Sequence, residues 1–119
     1  MKEWRILISR QAERDLREVY EYIALTLLEP SIASKLIYRI EDRITKLSAM
    51  PLSYSIYPKE PWKSRGLRRV NVGNYAIFFV PSKDKNEVIV IRVIYGGRDT
   101  ERLLGDVLLS DMIDSDKPF

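Results

Sequence analysis

Five cations, Lys59, Lys63, Arg65, Arg68 and Arg69, fall within eleven residues, opposed there by Glu60 alone, with Trp62 among them. Guanidinium groups hold phosphate oxygens through paired N–H donors, and an aromatic ring offers a face on which a base can stack. The cluster therefore has the chemistry to clamp phosphates, and the same arginines would equally serve an acidic protein surface. Histidine and cysteine are absent, which excludes Ser-His-Asp and Cys-His nucleophile pairs, disulfides and the usual zinc ligand sets. RNA cleavage would then need Lys or Arg to stabilise charge on the phosphate, with Tyr, Lys or a carboxylate moving the 2′-hydroxyl and leaving-group protons. No metal and no cofactor is expected.

Arg92 stands out for its setting, a cation inside Glu87–Tyr95, which is otherwise rich in Val and Ile. An unpaired charge is very unfavourable in an apolar interior. Arg92 must therefore either pair with a carboxylate on a helix or reach a ligand on an open face. Charge is also uneven along the chain. Residues 1–98 hold 18 Lys+Arg against 11 Asp+Glu, whereas residues 99–119 hold 2 against 6, so a basic body carries an acidic tail within a net charge of +3. Local clusters of this kind, more than the total, set the field at a binding surface.

The elements that must position these residues emerge from periodicity. Trp4–Ser9 reads as a strand. Ser9 is a candidate N-cap, and Ala12, Leu16, Val19, Tyr20, Ile23 and Leu27 come after it at helical spacing, predicting an amphipathic helix of about five turns. Glu29-Pro30-Ser31 breaks it, and Ile32, Leu36, Ile37, Ile40, Ile44 and Leu47 repeat the stripe until Met50-Pro51. Two helices with so short a break predict an antiparallel hairpin. Residues 51–66, with three prolines, Gly66 and the aromatics Tyr54, Tyr57 and Trp62, read as an ordered loop whose rings either pack it onto a core or grip a ligand.

From Leu67 the period becomes two. Leu67–Val72 and Tyr75–Val80 flank Gly73-Asn74, a two-residue hairpin connection. That turn fixes register: Val72 opposes Tyr75, Val70 opposes Ile77 and Arg68 opposes Phe79 on one face, with Asn71 opposite Ala76 and Arg69 opposite Phe78 on the other. The first face suits the helices, and the Arg69, Asn71, Ala76, Phe78 face is expected to be open to solvent or a partner. In the last strand, strict alternation groups Val88, Val90, Arg92 and Ile94 against Ile89, Ile91, Val93 and Tyr95. Leu103, Leu104, Val107 and Leu108 could form a short final helix, and Asp111 to Phe119 look frayed.

The whole predicts one α+β domain, a β-α-α-β-β-β chain with an antiparallel-rich twisted sheet on a helical hairpin, over residues 1–104, with an acidic tail over 105–119, partly helical or disordered. The length suits a single core. No apolar run approaches the ~20 residues that span a bilayer, and nothing resembles a signal peptide. A cytoplasmic protein without membrane contact is expected.

Ser9–Leu16, Tyr22-Ile23, Leu67-Arg68-Arg69, Val72–Phe79 and Ile91–Asp99, in this order and spacing, resemble the RelE/ParE toxins over roughly residues 3–104. The resemblance implies a toxin of a bacterial type II toxin–antitoxin system, neutralised by a cognate antitoxin that wraps it, meeting operator DNA only indirectly through that antitoxin. ParE-like members poison DNA gyrase; RelE-like members cleave mRNA in the ribosome, as metal-independent endoribonucleases. A non-toxic remnant that still binds antitoxin is a third reading. In the nuclease pattern Arg69 and Arg98 fall at matching basic positions, and the candidates for a nuclease are Arg65, Arg69 and Arg98, with Tyr95 for proton transfer or stacking. Target-contacting candidates are Lys63, Arg65, Arg68, Arg69, Arg92 and Arg98. The nucleases commonly carry Arg directly after the hairpin tyrosine, where this chain has Ala76. The segments Gly73–Ala76 and Arg92–Asp99 look more ParE-like than RelE-like.

Overall fold

The computed structural model describes residues 3–96, 100–105 and 118–119. The order is β1 (Arg5–Ile8), α1 (Arg10–Glu21), α2 (Pro30–Lys46), β2 (Arg68–Val72), β3 (Tyr75–Ser82), β4 (Glu87–Tyr95) and α3 (Thr100–Gly105). The strands form one sheet in the order β1-β4-β3-β2, with β1 parallel to β4 and the other pairs antiparallel. This is the expected arrangement. None of the described helices is long and apolar enough to cross a membrane.

Ser9 ends β1 and starts α1. Its extended backbone turns the chain, and its hydroxyl accepts from the Ala12 N–H at 3.0 Å, which satisfies one orphan donor of the first helical turn. The predicted five-turn helix is shorter than its stripe. After Glu21 the chain widens into a π-helical turn over Tyr22–Thr26, and Leu28 takes a left-handed backbone before Pro30 opens α2. The extra residue of a π turn rotates the next side chains around the helix axis. Ile23 and Ala24 go inward against Ala33, while Tyr22, Leu25, Leu27 and Leu28 face out. On α2 the same close approach buries Ala33 and leaves Ile32 exposed.

The hairpin register is as the two-residue turn dictates: Val72 pairs with Tyr75, Val70 with Ile77 and Arg69 with Phe78. Val72, Ile77 and Phe79 pack with Ile40, Ile44 and Leu47 of the α2 side in the first core. The alternation expected of β4 fails midway. Pairing steps from Phe78–Arg92 to Phe79–Val90, which leaves Ile91 as an extra residue, a β-bulge. Val88 and Val90 therefore share the first core with Val93, while Ile91 and Ile94 turn to the opposite face. Ser9 fastens the bulge, its N–H donating to Val90 O at 2.9 Å and its hydroxyl to Ile91 O at 2.7 Å.

The face expected to be open is covered. Tyr57, Leu67, Ala76, Phe78, Ile91, Ile94, Leu103 and Leu104 form a second core, with Trp62 against it. The hairpin helices lie on the other side, as expected, and the cover comes from the loop before β2 and from α3. At ~25 cal/mol per Å² of apolar surface, rings and branched chains in such number do not stay in water when chain is at hand to cover them.

Candidate functional site

The basic loop is built outward from the second core. Ser55 to Tyr57 run beside the start of β2: Ile56 bridges Arg68, the Tyr57 N–H donates to Leu67 O at 2.8 Å and the Arg69 N–H to Ser55 O at 3.1 Å. The segment then coils through Lys59–Gly66, with Lys63 N–H donating to Lys59 O and Arg65 N–H to Trp62 O. Gly66 closes it at φ +80°, a conformation that glycine adopts without strain. Ser64 donates to the Glu60 carboxylate through both its N–H (2.9 Å) and its hydroxyl (2.7 Å), and these bonds to the charged form hold the Glu60 carboxyl below its ordinary range.

Tyr57 is the hub. It stands edge-on to Phe78 at 5.7 Å and to Trp62 at 6.0 Å, and the Arg69 guanidinium lies 5.6 Å over its ring. The rings therefore pack the loop onto a core, the first of the two readings of its aromatics, and one of them also holds an arginine in place. Arg68 turns back and donates to Tyr54 O at 2.6 Å. Lys59 is taken by Glu101 of α3, whose hydrogen bond and charge raise the lysine above its usual range. Lys63, Arg65 and Arg69 are exposed.

The other sequence-predicted residues lie elsewhere. Arg92 is 6% exposed and Asp15 5%. Arg92 Nε donates to Asp15 Oδ2 at 2.8 Å, one Nη to Asp15 Oδ1 at 3.0 Å and the other to Leu103 O at 2.8 Å, while Val93 N–H donates to Asp15 Oδ2 at 2.9 Å. Arg92 is thus no target contact; it pairs with a helix carboxylate and joins α1, β4 and α3. Sequence reasoning does not single out Asp15, although it lies three residues after Ala12 on the buried stripe of α1, where a carboxylate is the anomaly that answers Arg92.

Tyr95, 44% exposed, pairs with Tyr75 at 5.3 Å between ring centres. Tyr75 packs against the first core, so this pair belongs to the helix side of the sheet, whereas Arg69 shares the side of Phe78. Burial, with Tyr95 and Tyr22 nearby, raises the Tyr75 phenol above its usual pKa. Tyr75 and Tyr95 wall a cavity of about 700 Å³ together with Glu18, Val19, Tyr22 and Leu27. It opens beside an apolar surface of Tyr22, Leu25, Leu27, Leu28 and Ile32, of which Leu28 is 77% exposed. Ala76, in the position where the nucleases carry arginine, is buried in the second core. Arg98 lies outside the described residues, as do most residues of the acidic tail.

The model of the ParE toxin of the type II toxin–antitoxin system parDE matches residues 6–100. Among solved structures, the chromosomal ParDE toxin–antitoxin system of P. aeruginosa contains a chain with 22% identity and a TM-score of 0.64, covering 78% of this chain and 96% of that one. The toxin–antitoxin complex RelBE2 of Mycobacterium tuberculosis gives 20% identity and a TM-score of 0.57, covering 80% and 93%. A mutant of the E. coli toxin RelE in the free state gives 10% identity and a TM-score of 0.61, covering 88% and 94%. No curated protein sequence matches. The structural likenesses agree in fold with the β-α-α-β-β-β chain, and with a family match that runs from β1 to the start of α3, this chain belongs to the ParE toxins of type II toxin–antitoxin systems.

Proposed function

We propose that this toxin acts by binding DNA gyrase and does not cut mRNA, and that a cognate antitoxin covers it when it is neutralised. The observation that carries the first part is the separation of the nuclease candidates. Cleavage needs a phosphate-holding cation and a proton-transfer group within about 3 Å of the same reacting atoms. Here Arg69 and Tyr95 stand on opposite sides of the sheet, Arg92 is enclosed with Asp15, and Ala76 offers no charge. The exposed cations Lys63, Arg65 and Arg69 form a surface for an acidic partner, and the ring of Tyr57 beneath Arg69 fixes one of them.

The antitoxin reading rests on a second surface. Tyr22, Leu25, Leu27, Leu28 and Ile32 are exposed around the turn between α1 and α2, and contiguous apolar exposure of this kind marks a protein interface. Two of the structural relatives are described as toxin–antitoxin assemblies.

The test is purified toxin against gyrase supercoiling and, in parallel, against a translating extract. Inhibited supercoiling with intact mRNA is expected. Arg65→Ala with Arg69→Ala should weaken inhibition by about tenfold or more, the scale of losing one or two interface anchors. Codon-phased mRNA cuts without any effect on gyrase would replace this reading by the ribosome-dependent nuclease. Harmless expression in cells lacking the antitoxin would instead identify a remnant that has lost its target.

A further inference from the structure

The cavity between α1 and the end of the β3–β4 pair has a composition unlike the rest of this basic chain. Three tyrosines wall it, Tyr22 from the π turn, Tyr75 from β3 and Tyr95 from β4, together with the carboxylates of Asp15 and Glu18. Among the described residues that line it there is no lysine or arginine, in a chain whose net charge is +3. The wall that remains is largely apolar, with Val19, Ile23 and Leu27 on the helix side.

The local backbone sets these groups around one space. Glu18 and Tyr22, four residues apart, fall on the same side of the helix. Leu27 N–H then donates to Tyr22 O at 3.0 Å across the π turn, which brings Leu27 round to that side as well, and single turns of this kind are frequent at functional sites. Opposite, Tyr75 and Tyr95 are paired across the strands at 5.3 Å between ring centres and a tilt of 60°. So steep a tilt leaves the ring faces uncovered by one another. An aromatic face is the negative end of a quadrupole and attracts a cation within about 6 Å.

The charge that completes the arrangement is that of Glu18. Asp15 already holds Arg92 and the Val93 N–H, so it adds no free charge to the cavity. Glu18 is exposed, and no cation among the described residues pairs with it. Burial keeps the Tyr75 phenol protonated to higher pH than usual, so that ring acts through its face and not as a phenolate.

We infer that this cavity binds a small organic cation, an alkylammonium or guanidinium head carried on an apolar body. The head lies against Tyr22, Tyr75 and Tyr95 with Glu18 as its counter-charge, and the body lies along Val19, Ile23 and Leu27. A volume of about 700 Å³ falls in the range of small-molecule sites, and one lysine or arginine side chain from a partner would fill only part of it. The site stands apart from the gyrase and antitoxin readings and depends on neither.

Choline is the probe, because 3,3-dimethyl-1-butanol repeats its shape with carbon in place of the charged nitrogen. Each is titrated into the purified full-length toxin while the tyrosine ring signals are followed by NMR. Choline is expected to shift the rings of Tyr22, Tyr75 and Tyr95 and to bind about tenfold or more tighter than the alcohol, the scale of several cation–ring contacts together. Glu18→Gln, a change of charge at an exposed helix position, should weaken choline about threefold and leave the alcohol unaffected. Tyr22→Leu, which keeps apolar bulk and removes a ring, should also weaken choline about threefold. Equal affinity for the two probes would reduce the cavity to an apolar recess and overturn the inference. It is overturned as well by unshifted rings with choline in large excess, or by choline binding that both substitutions leave undiminished. Each of these failures leaves the toxin reading intact, since that reading makes no use of the site.

Discussion

Phe78 pairs with Arg92 on one side and with Arg69 on the other, so two arginines and a phenylalanine share one rung of the sheet. Arg92 belongs to a central strand, beneath α3 and beside α1, and each of its nitrogens has an acceptor on Asp15 or Leu103. Arg69 belongs to the edge strand and lies over the Tyr57 ring, and among the described residues no carboxylate pairs with it. The same side chain is a structural tie in one place and a surface cation in the other. What decides is whether neighbouring chain can bring a fixed carboxylate before water does.

The sharpest way to break this contrast is at Asp15. Asp15→Ala removes the partner of a buried guanidinium and the acceptor of Val93 N–H together. Leaving a buried charge unpaired costs about 3–5 kcal/mol, and urea denaturation should show a loss of that size. Asp15→Leu combined with Arg92→Met should recover much of it, since an apolar pair of similar volume is often neutral or better there. A loss below about 1 kcal/mol for Asp15→Ala would mean that Arg92 finds water after all.

The rung also shows how far the sequence carries. Two-residue spacing around Gly73-Asn74 is enough to pair Arg69 with Phe78, because a tight turn admits one register. The other half of the rung is hidden. Ile89, Val90, Ile91 and Val93 are apolar on either face, so moving one residue out of step at Ile91 leaves no mark in the pattern. Arg92 is legible as a charge needing a carboxylate; its partner is not, although Asp15 interrupts the buried stripe of α1. The open face is misjudged because its cover, Tyr57, Trp62 and Leu67 with Leu103 and Leu104, comes from a loop and a short helix, whose aperiodic residues give no advance sign of which face they meet.

Tyr57 offers the next perturbation. It is buried between Phe78 and Trp62 and supports Arg69 from below. Tyr57→Ala should cost about 2–4 kcal/mol, in the range for deleting a large buried side chain where the surroundings relax in part. If the second core is what closes this face of the sheet, Trp62 fluorescence should shift to the red in the folded variant. An unshifted spectrum would place Trp62 on some other support.

The smallest effect is expected at Arg69, and its size bears most on function. Arg69→Ala deletes a guanidinium that is exposed and stacked on a ring, an interaction of about 0.5–1 kcal/mol at such sites. Its backbone bonds to Ser55 and its place on β2 are kept. The denaturation midpoint should therefore barely move, in contrast to any single removal within the Asp15–Arg92 pair. The two arginines then separate cleanly: the one whose loss destabilises is bound inward, and the one whose loss the fold tolerates has its charge free for a partner. A cost above about 2 kcal/mol for Arg69→Ala, twice the upper value for an exposed stack, would place that cation in the fold's own framework and withdraw it from the surface proposed to meet gyrase.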